Sequence, residues 1–222
     1  MSVLSRSDID THLKSSVIID PFDSTRLGMN TYDVSLGEFY FRAQRAGLGS
    51  QIYNPYCEED VRHLWGNVQS AETAQIEFHR QHHPIPKGIR PEDRVILLNP
   101  GEMILAHTHE FIGGRNGIVG WMQGKSGWSR SFISVCTDAG LGDIGFVSRW
   151  TMELENRHDR FTIPLIVGLP IAKIAFLDSG NRNEDGPTAY AGNYQQGKTL
   201  EEIKKNWAPE NMLPRLYAMR KT

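Results

Sequence analysis

Long apolar runs, cysteines and an excess of charge of one sign are all scarce in this chain of 222 residues. Its two cysteines, Cys57 and Cys136, are too few for a disulfide framework, and Cys136 lies in an apolar run that favours a reduced, packed thiol. No stretch approaches the length of a membrane span, and residues 1–10 contain no apolar signal-peptide core. We therefore expect a cytoplasmic protein.

The formal net charge is only −2, which argues against a protein that coats nucleic acid. Any anionic ligand must therefore be held by local basic groups rather than by a field over the whole surface. Hydrophobic residues make up 39% of the chain, which is enough for a sizeable core. We expect one domain spanning residues 1–222.

Short apolar runs bounded by glycine and proline predict many short strands, for example at 95–98, 117–121 and 163–169. Capping-box patterns at 7–10 and 199–202 predict one short helix at each end, the second ending before Pro209. This pattern favours a mainly β fold of the barrel or jelly-roll type. Residues 44–95 are more polar and contain several histidines, so we interpret them as an insertion with local structure.

Residues 124–130, GKSGWSR, place two cations and two hydroxyl groups within one apparent strand-to-helix junction. Ser126 could cap a short helix whose free N–H groups face an anion, while Lys125 and Arg130 supply positive charge. The alternative is an ordinary capped turn with solvated charges. A Walker A loop is excluded, because that motif requires glycine where Val119 stands.

Residues 138–146, DAGLGDIGF, have glycines spaced for tight turns and for close approach of the backbone to a ligand. Asp143 in such a turn either caps its own backbone or accepts a hydrogen bond from a sugar hydroxyl, with Phe146 shaping the sugar contact.

Residues 149–154, RWTMEL, alternate with period 2, which directs Glu153 away from the apolar side of a strand. From the pattern alone, a carboxylate at such a position lies on a wetted face or serves in a site.

Taken in order and spacing, these three segments resemble the core motif of the dCTP deaminase branch of the dUTPase-like superfamily, roughly G-[RK]-S-S-x-[AS]-R, T-A-G-x-I-D-x-G-F and T-L-E-L-x-N. The resemblance covers most of the chain outside residues 44–95, including the opening segments up to residue 37 and the strand at 99–110. It ends with Y-A-G-N-Y-Q-Q at 190–196, part of a closing segment at about 185–222.

Several positions depart from the family pattern. Lys125 replaces a frequent arginine, Asp138 stands where many members have threonine, Asn193 replaces a lysine and Ser35 stands where arginine is common. The closing segment is one residue shorter, which leaves Gln195 and Gln196 as alternatives for one nucleotide contact. Ala139 followed by Gly140 is similar to the bifunctional, dUMP-forming members, and Asp138 allows an altered base preference, such as for a modified cytosine.

The resemblance implies a distorted jelly-roll or β-barrel fold, a homotrimer with sites at subunit interfaces, and hydrolytic deamination of dCTP to dUTP and ammonia, coupled or not to formation of dUMP and pyrophosphate. Glu153 is the implied catalytic acid and base. Mg²⁺ would be carried by the triphosphate without direct protein ligands. The implied substrate-binding residues are Lys125, Ser126, Arg130, Thr137, Asp138, Ala139, Asp143, Phe146, Tyr190, Tyr194, Gln195 and Gln196.

Zinc-dependent cytidine deaminases require an H-x-E motif paired with P-C-x-x-C, and neither is present, so no zinc is expected. His79, His82 and His83, or His107 with His109, lack a convincing set of partner ligands. Two other functions stay open: a dUTP pyrophosphatase in which Asp143 activates water, and a nucleotide-sensing regulator without catalysis.

Overall fold

The computed structural model describes residues 1–44, 52–136, 138–180, 190 and 192–219. The strands are β1 Ser2–Val3, β2 Val17–Asp20, β3 Tyr32–Arg42, β4 Gln69–Ser70, β5 Glu72–Thr73, β6 Arg94–Leu98, β7 Met103–Thr108, β8 Phe111–Gly114, β9 Ile118–Gly124, β10 Ile133–Val135, β11 Leu141–Gly142, β12 Val147–Ser148, β13 Thr151–Asn156, β14 Ile163–Ile166 and β15 Pro170–Asp178. The α-helices are α1 Arg6–His12, α2 Glu58–Trp65, α3 Ala74–Arg80, α4 Ser126–Arg130 and α5 Leu200–Asn206. Short 3-10 helices cover Ser24–Arg26, Pro209–Met212 and Leu216–Met219.

The strands form one large and two small antiparallel sheets. The large sheet has the order β10-β13-β7-β3-β15-β9-β11, with β1 added to β15 and β4 added to β3. The small sheets have the orders β12-β8-β2 and β14-β6-β5. Because most neighbours in the order are distant in sequence, the large sheet is held by long-range pairing, and the predicted mainly β class is confirmed.

The main core lies on the inner face of these strands. In β13 the side chains alternate as predicted, with Met152 and Leu154 fully buried and Glu153 only partly so. Complete burial of one such apolar side chain stabilises the fold by roughly 1.5–3 kcal/mol. The indole of Trp150 extends this core and donates its N–H to the Ile112 carbonyl at 2.7 Å. The strand therefore has a rigid apolar side that fixes the direction of its polar side.

A buried carboxylate accounts for one departure from the family pattern. Glu110 is only 1% exposed and accepts a hydrogen bond from the Ser35 N–H at 3.0 Å. It also forms an ion pair with Arg26 at 2.8 Å. Arg26 also reaches the Gly168 carbonyl at 3.2 Å. An arginine from another segment thus lies beside Ser35, where the family commonly has arginine.

The terminal helices are both present, although one begins earlier than predicted. The first has Ser5 as its N-cap and a capping box with Asp8, so the predicted start at Ser7 was wrong by two residues. The last has the predicted capping box of Thr199 and Glu202 and ends at Asn206, ahead of Pro209.

The insertion contains more helix than the sequence suggested. Besides β4 and β5 it holds α2 and α3, which the prediction of one short helix at each end did not include, whereas α4 follows β9 at the junction where the sequence indicated a short helix. Each insertion helix is short and buries only two of its residues, which leaves few apolar positions to mark it in the sequence. Within the described part of the chain no helix has the length and apolar character needed to cross a bilayer.

Candidate active site

Glu153 lies in the middle of β13 and points into a cavity of about 330 Å³, which we call the Glu153 cavity. Ligand sites usually have volumes of roughly 300–1,000 Å³, so this cavity suits one part of a larger substrate. Leu105 is paired directly with Glu153 in the neighbouring strand β7, and it lines the same cavity. The carboxylate is therefore half-buried beside an apolar side chain and does not lie on a wetted face.

The surroundings of Glu153 favour its protonated form. Burial raises the pKa of Glu153 above its ordinary value, and the negative charge of Asp138 adds to that effect. The thiol of Cys136 contacts the Glu153 side chain, and burial raises the pKa of Cys136 so strongly that the thiol keeps its proton. Cys136 also donates its N–H to the Glu153 carbonyl at 3.2 Å. A carboxyl with a raised pKa is suited to gain and lose protons near neutral pH.

One wall of the cavity is aromatic. The ring of Phe146 packs edge-on against Trp150 at 5.4 Å and against Tyr190 at 5.0 Å between centroids. Asp143 begins the turn that presents Phe146, with the Phe146 N–H donating to the Asp143 carbonyl at 3.0 Å. Gly145 has a φ of +88° at the third position of this turn, where a type II turn requires glycine. The turn brings Asp143 and Phe146 to the lining together.

The loop before this turn contributes Ala139 to the lining, whereas Asp138 is exposed and acts on Glu153 through its charge. Thr137, a predicted binding residue, lies outside the described residues. Gly140 is held against β9, where its carbonyl accepts the Met122 N–H at 2.7 Å. A Cβ at this position would overlap the Met122 carbonyl oxygen, so the packing requires glycine here.

The closing segment lies over the cavity through its two tyrosines, Tyr190 and Tyr194. Gln195 anchors it to the body, because its side-chain oxygen accepts the Val147 N–H at 2.7 Å. Gln196 is exposed, so of the two alternatives Gln195 is the one directed toward the body of the fold. Arg215 holds the segment from behind by donating to the Asn193 carbonyl at 2.6 Å.

The basic segment, residues 124–130, is not part of this lining. Lys125 forms an ion pair with Asp33 on β3, and Ser126 and Arg130 are exposed on α4. Lys125 is the N-cap of α4 and makes no side-chain capping bond, so the prediction that Ser126 caps this helix was wrong. The fold thus brings Glu153, Ala139, Asp143, Phe146, Tyr190 and Tyr194 together, and it leaves Lys125, Ser126 and Arg130 apart from them.

Several lining residues were missed by sequence reasoning. Period 2 along β13 could have identified Thr151, because it shares the side of Glu153. The others depend on strand register or on the docking of the C-terminal segment, which no local pattern reveals. The residues missed are Leu105, Leu141, Gly142, Trp150, Thr151, Met212 and Pro214.

In the described part of the chain, no group of three or more histidine, cysteine, aspartate or glutamate side chains is arranged to hold a metal ion. His107 is fully buried and stacks beside Phe39, while the neighbouring His109 is exposed. The two histidines considered as a pair in the sequence therefore occupy different environments.

Comparison with known families gives a match over most of the chain. The sequence model of one family, described as dCTP deaminase-like, matches residues 3–179. That range contains the cavity residues from Leu105 to Glu153 and also the basic segment.

Individual relatives agree with this match. The chain is 26% identical to "dCTP deaminase, dUMP-forming" of Clostridium beijerinckii over 90% of this chain and 94% of the relative. It is 30% identical to "dCTP deaminase" of Tolumonas auensis over 76% of this chain and 80% of the relative. Among solved structures, a 2'-deoxycytidine 5'-triphosphate deaminase from Agrobacterium tumefaciens aligns with a TM-score of 0.51 and 16% identity, over 79% of this chain and 47% of that longer chain. At that identity the alignment bears on the fold alone.

Proposed function

The chain belongs to the dCTP deaminase-like family, and from that premise we propose that it hydrolyses the 4-amino group of dCTP, releasing ammonia. The observation that carries the proposal is Glu153, a half-buried carboxyl with a raised pKa at the wall of a cavity that suits one part of a larger substrate. The reaction is dCTP plus water to dUTP plus ammonia.

We propose that Glu153 moves all of the protons. It takes a proton from the water that attacks C4, delivers a proton to N3, and then helps ammonia to leave. General acid–base catalysis of this kind contributes roughly 10²–10⁴-fold to a rate. The Cys136 thiol and the Leu105 side chain restrict the position of the carboxyl, and such positioning raises the effective concentration of the reacting groups. No zinc ion has a role in this proposal.

The other cavity residues are proposed to bind the nucleoside. Asp143 would accept a hydrogen bond from the deoxyribose, with Phe146 and Tyr190 packing against the sugar. Thr137, Asp138 and Ala139 would hold the base and the water. Gln195 keeps the closing segment in place, while Tyr194 covers the cavity and Gln196 stays a predicted contact.

The triphosphate is proposed to bind Lys125, Ser126 and Arg130 of a neighbouring copy in a homotrimer. These residues are outside the lining of the Glu153 cavity in their own chain, which supports a site completed by a second chain. Mg²⁺ would enter with the triphosphate, because this ion keeps several waters and binds readily to substrate phosphates. The single-domain organisation and the cytoplasmic location stay predictions.

The product is proposed to be dUMP with pyrophosphate, after dUTP has formed in the same site. Asp143 lies in the Glu153 cavity and could activate a second water for attack at the α-phosphate. The relatives named as dUMP-forming support this coupling. The same aspartate keeps a dUTP pyrophosphatase as the second candidate function, and a nucleotide-sensing regulator as the third.

One assay separates these functions. The purified protein is incubated with dCTP and, separately, with dUTP in the presence of Mg²⁺, and ammonia and pyrophosphate are measured independently. We expect both products from dCTP. Ammonia alone would indicate a dUTP-releasing deaminase, and pyrophosphate only from dUTP would indicate a pyrophosphatase. Neither product from either nucleotide would contradict catalysis and favour the regulator.

A further inference from the structure

The insertion reaches the neighbourhood of the cavity through α2. This helix buries Val61 and Trp65, which are 1% and 5% exposed. They belong to one apolar cluster with Phe41 of β3, Leu105 of β7 and the C-terminal pair Met212 and Leu213. The insertion thus joins strands of the large sheet to the segment that follows α5.

Two members of this cluster have a second contact surface. Leu105 and Met212 also line the Glu153 cavity, and Leu105 is the direct ladder partner of Glu153. Each therefore belongs to the apolar cluster that contains Val61 and Trp65 of α2, and each also faces the cavity. Side chains paired across a non-local ladder lie roughly 4.5–5.5 Å apart at Cβ, which is close enough for Leu105 to shield the carboxyl from water.

The helix itself is firmly attached at its end. The Leu64 carbonyl accepts the N–H of Gln44, which follows β3, at 2.7 Å. Gly66 ends α2 with a φ of +60°, and its N–H donates to the Arg62 carbonyl at 2.9 Å. This attachment places the buried side of α2 against the strands rather than leaving the insertion as a separate lobe.

We propose that α2 acts on the reaction through Val61 and Trp65. These two side chains hold Leu105 and Met212 in place as the apolar wall beside Glu153, and they keep the segment that follows α5 packed on the large sheet. Val61 and Trp65 are positioning residues, since neither lines the cavity. The proposal rests on the proposed function, in which Glu153 is the proton carrier. It assigns a role to the insertion, namely that of an internal support for the catalytic carboxyl.

The physical consequence of losing this support is entry of water beside Glu153. The charged groups around Glu153 are Asp138, whose charge raises its pKa, and Asp143 in the same lining. Cys136, Tyr190 and Tyr194 are the other titratable groups nearby, while β7 presents only Leu105 to it. Because burial is the largest cause of the raised pKa, hydration of the wall lowers that pKa while leaving these groups in place.

The insertion provides its own matched control. Phe78 on α3 is 6% exposed, as deeply buried as Trp65, but it packs in a different cluster with Ala74, Val95 and Leu97. Trp65→Ala and Phe78→Ala therefore remove similar aromatic side chains from the same insertion. Val61→Ala is a milder change in the same apolar cluster as Trp65, useful where Trp65→Ala does not fold.

The first measurement compares the pH profiles of kcat and kcat/KM for dCTP. In Trp65→Ala and Val61→Ala, we expect the limb that reports Glu153 to move to lower pH by about half a unit or more, and KM to rise several-fold. Phe78→Ala is expected to lose thermal stability without either change. The proposal is overturned if the Trp65 and Val61 variants lose only stability and keep the wild-type profile and KM.

The second measurement does not depend on activity. Hydrogen exchange in the full-length protein is expected to become faster at residues 210–213 in Trp65→Ala and to stay unchanged there in Phe78→Ala. Absence of ammonia release from the wild type would contradict the proposed function, but the exchange result would still test the structural coupling. Equal exchange rates at residues 210–213 in both variants would contradict that coupling by itself.

Discussion

Glu153 and Arg130 lie in two nearby segments of the sequence, yet they differ in how far the fold buries them. Glu153 is half-buried in a cavity with aromatic and aliphatic walls, and burial raises its pKa. Arg130 is exposed at the end of α4, and it is absent from the lining of that cavity. The Glu153 cavity, which we call the enclosed region, suits proton transfer. The exposed basic segment at 124–130, which we call the open region, suits attraction of an anion from solvent.

The difference teaches how electrostatics acts in each region. In a cavity with little water, a neighbouring charge or a lost contact changes a pKa strongly. On the surface, the same charges are screened by salt within roughly 8–10 Å at ordinary ionic strength. Changes in the enclosed region are therefore expected to alter pH dependence, and changes in the open region to alter affinity and salt dependence.

The largest effect is expected for Glu153→Gln. Loss of the proton carrier is expected to lower ammonia release from dCTP by roughly 10²–10⁴-fold, while binding of the triphosphate is retained. Steady-state ammonia assays and calorimetry with dCTP measure the two quantities. Unchanged ammonia release would remove Glu153 from the mechanism.

Glu155→Gln is the matched control, because Glu155 follows on the same side of β13 but pairs with Arg157 outside the cavity.

The stability of Glu153→Gln provides a second check. Since the folded-state pKa of Glu153 is raised, its ionisation above that pKa opposes folding. Glu153→Gln is therefore expected to be at least as stable as the wild type at neutral and higher pH, with the difference disappearing at acidic pH, where Glu153 is protonated.

The buried His107 is also expected to lower the stability of the fold in acid. Burial lowers the pKa of His107 from 6.5 to about 4, so the unfolded chain binds more protons between these values. The free energy of unfolding is unaffected by His107 above about pH 6.5 and decreases as the pH falls. At pH 4 this decrease amounts to roughly 3 kcal/mol. In denaturant titrations at several pH values, His107→Gln is expected to flatten this dependence. The exposed His109→Gln is the control, and an equally steep acid loss in both variants would contradict the assignment.

In the open region, Arg130→Ala is expected to weaken dCTP binding by roughly 10-fold or more, the usual contribution of a hydrogen bond to a charged group. The KM of the wild type is expected to rise with added salt, and that of the variant to rise less. Arg160→Ala serves as the control, because Arg160 is an exposed arginine, 80% accessible, outside the basic segment. Equal affinity for dCTP in calorimetry would show that Arg130 does not bind the phosphates.

The smallest loss of activity is expected for mixed oligomers in which one chain supplies Glu153 and another supplies Arg130. Glu153→Gln and Arg130→Ala are mixed in equal amounts, dissociated and reassembled. If each site combines Glu153 of one copy with Arg130 of the next, about a quarter of the sites contain both residues, so activity is expected to return to about a quarter of the wild-type level. No recovery, despite exchange of subunits shown by mass spectrometry, would place both residues in one chain.

Some features of the site could be predicted because they depend on close neighbours in sequence. The side of β13 that carries Glu153 follows from the alternation of Met152 and Leu154, and the structure confirms that alternation. The turn from Asp143 to Phe146 follows from Gly145. Helix α2 was missed although Val61, Leu64 and Trp65 have the i, i+3, i+4 spacing of an amphipathic helix, because residues 44–95 were interpreted from their polar composition.

By itself, the sequence determined the mainly β class, the C-terminal capping box and the alternation of side chains along β13, since each depends on residues only a few positions apart. The tertiary structure alone decided that Leu105 shields Glu153, that Met212 closes the same cavity, and that the basic segment lies elsewhere. Those relations depend on the register between distant strands and on the docking of the C-terminal segment. Such contacts form between residues far apart in sequence, where local patterns carry no information about distance.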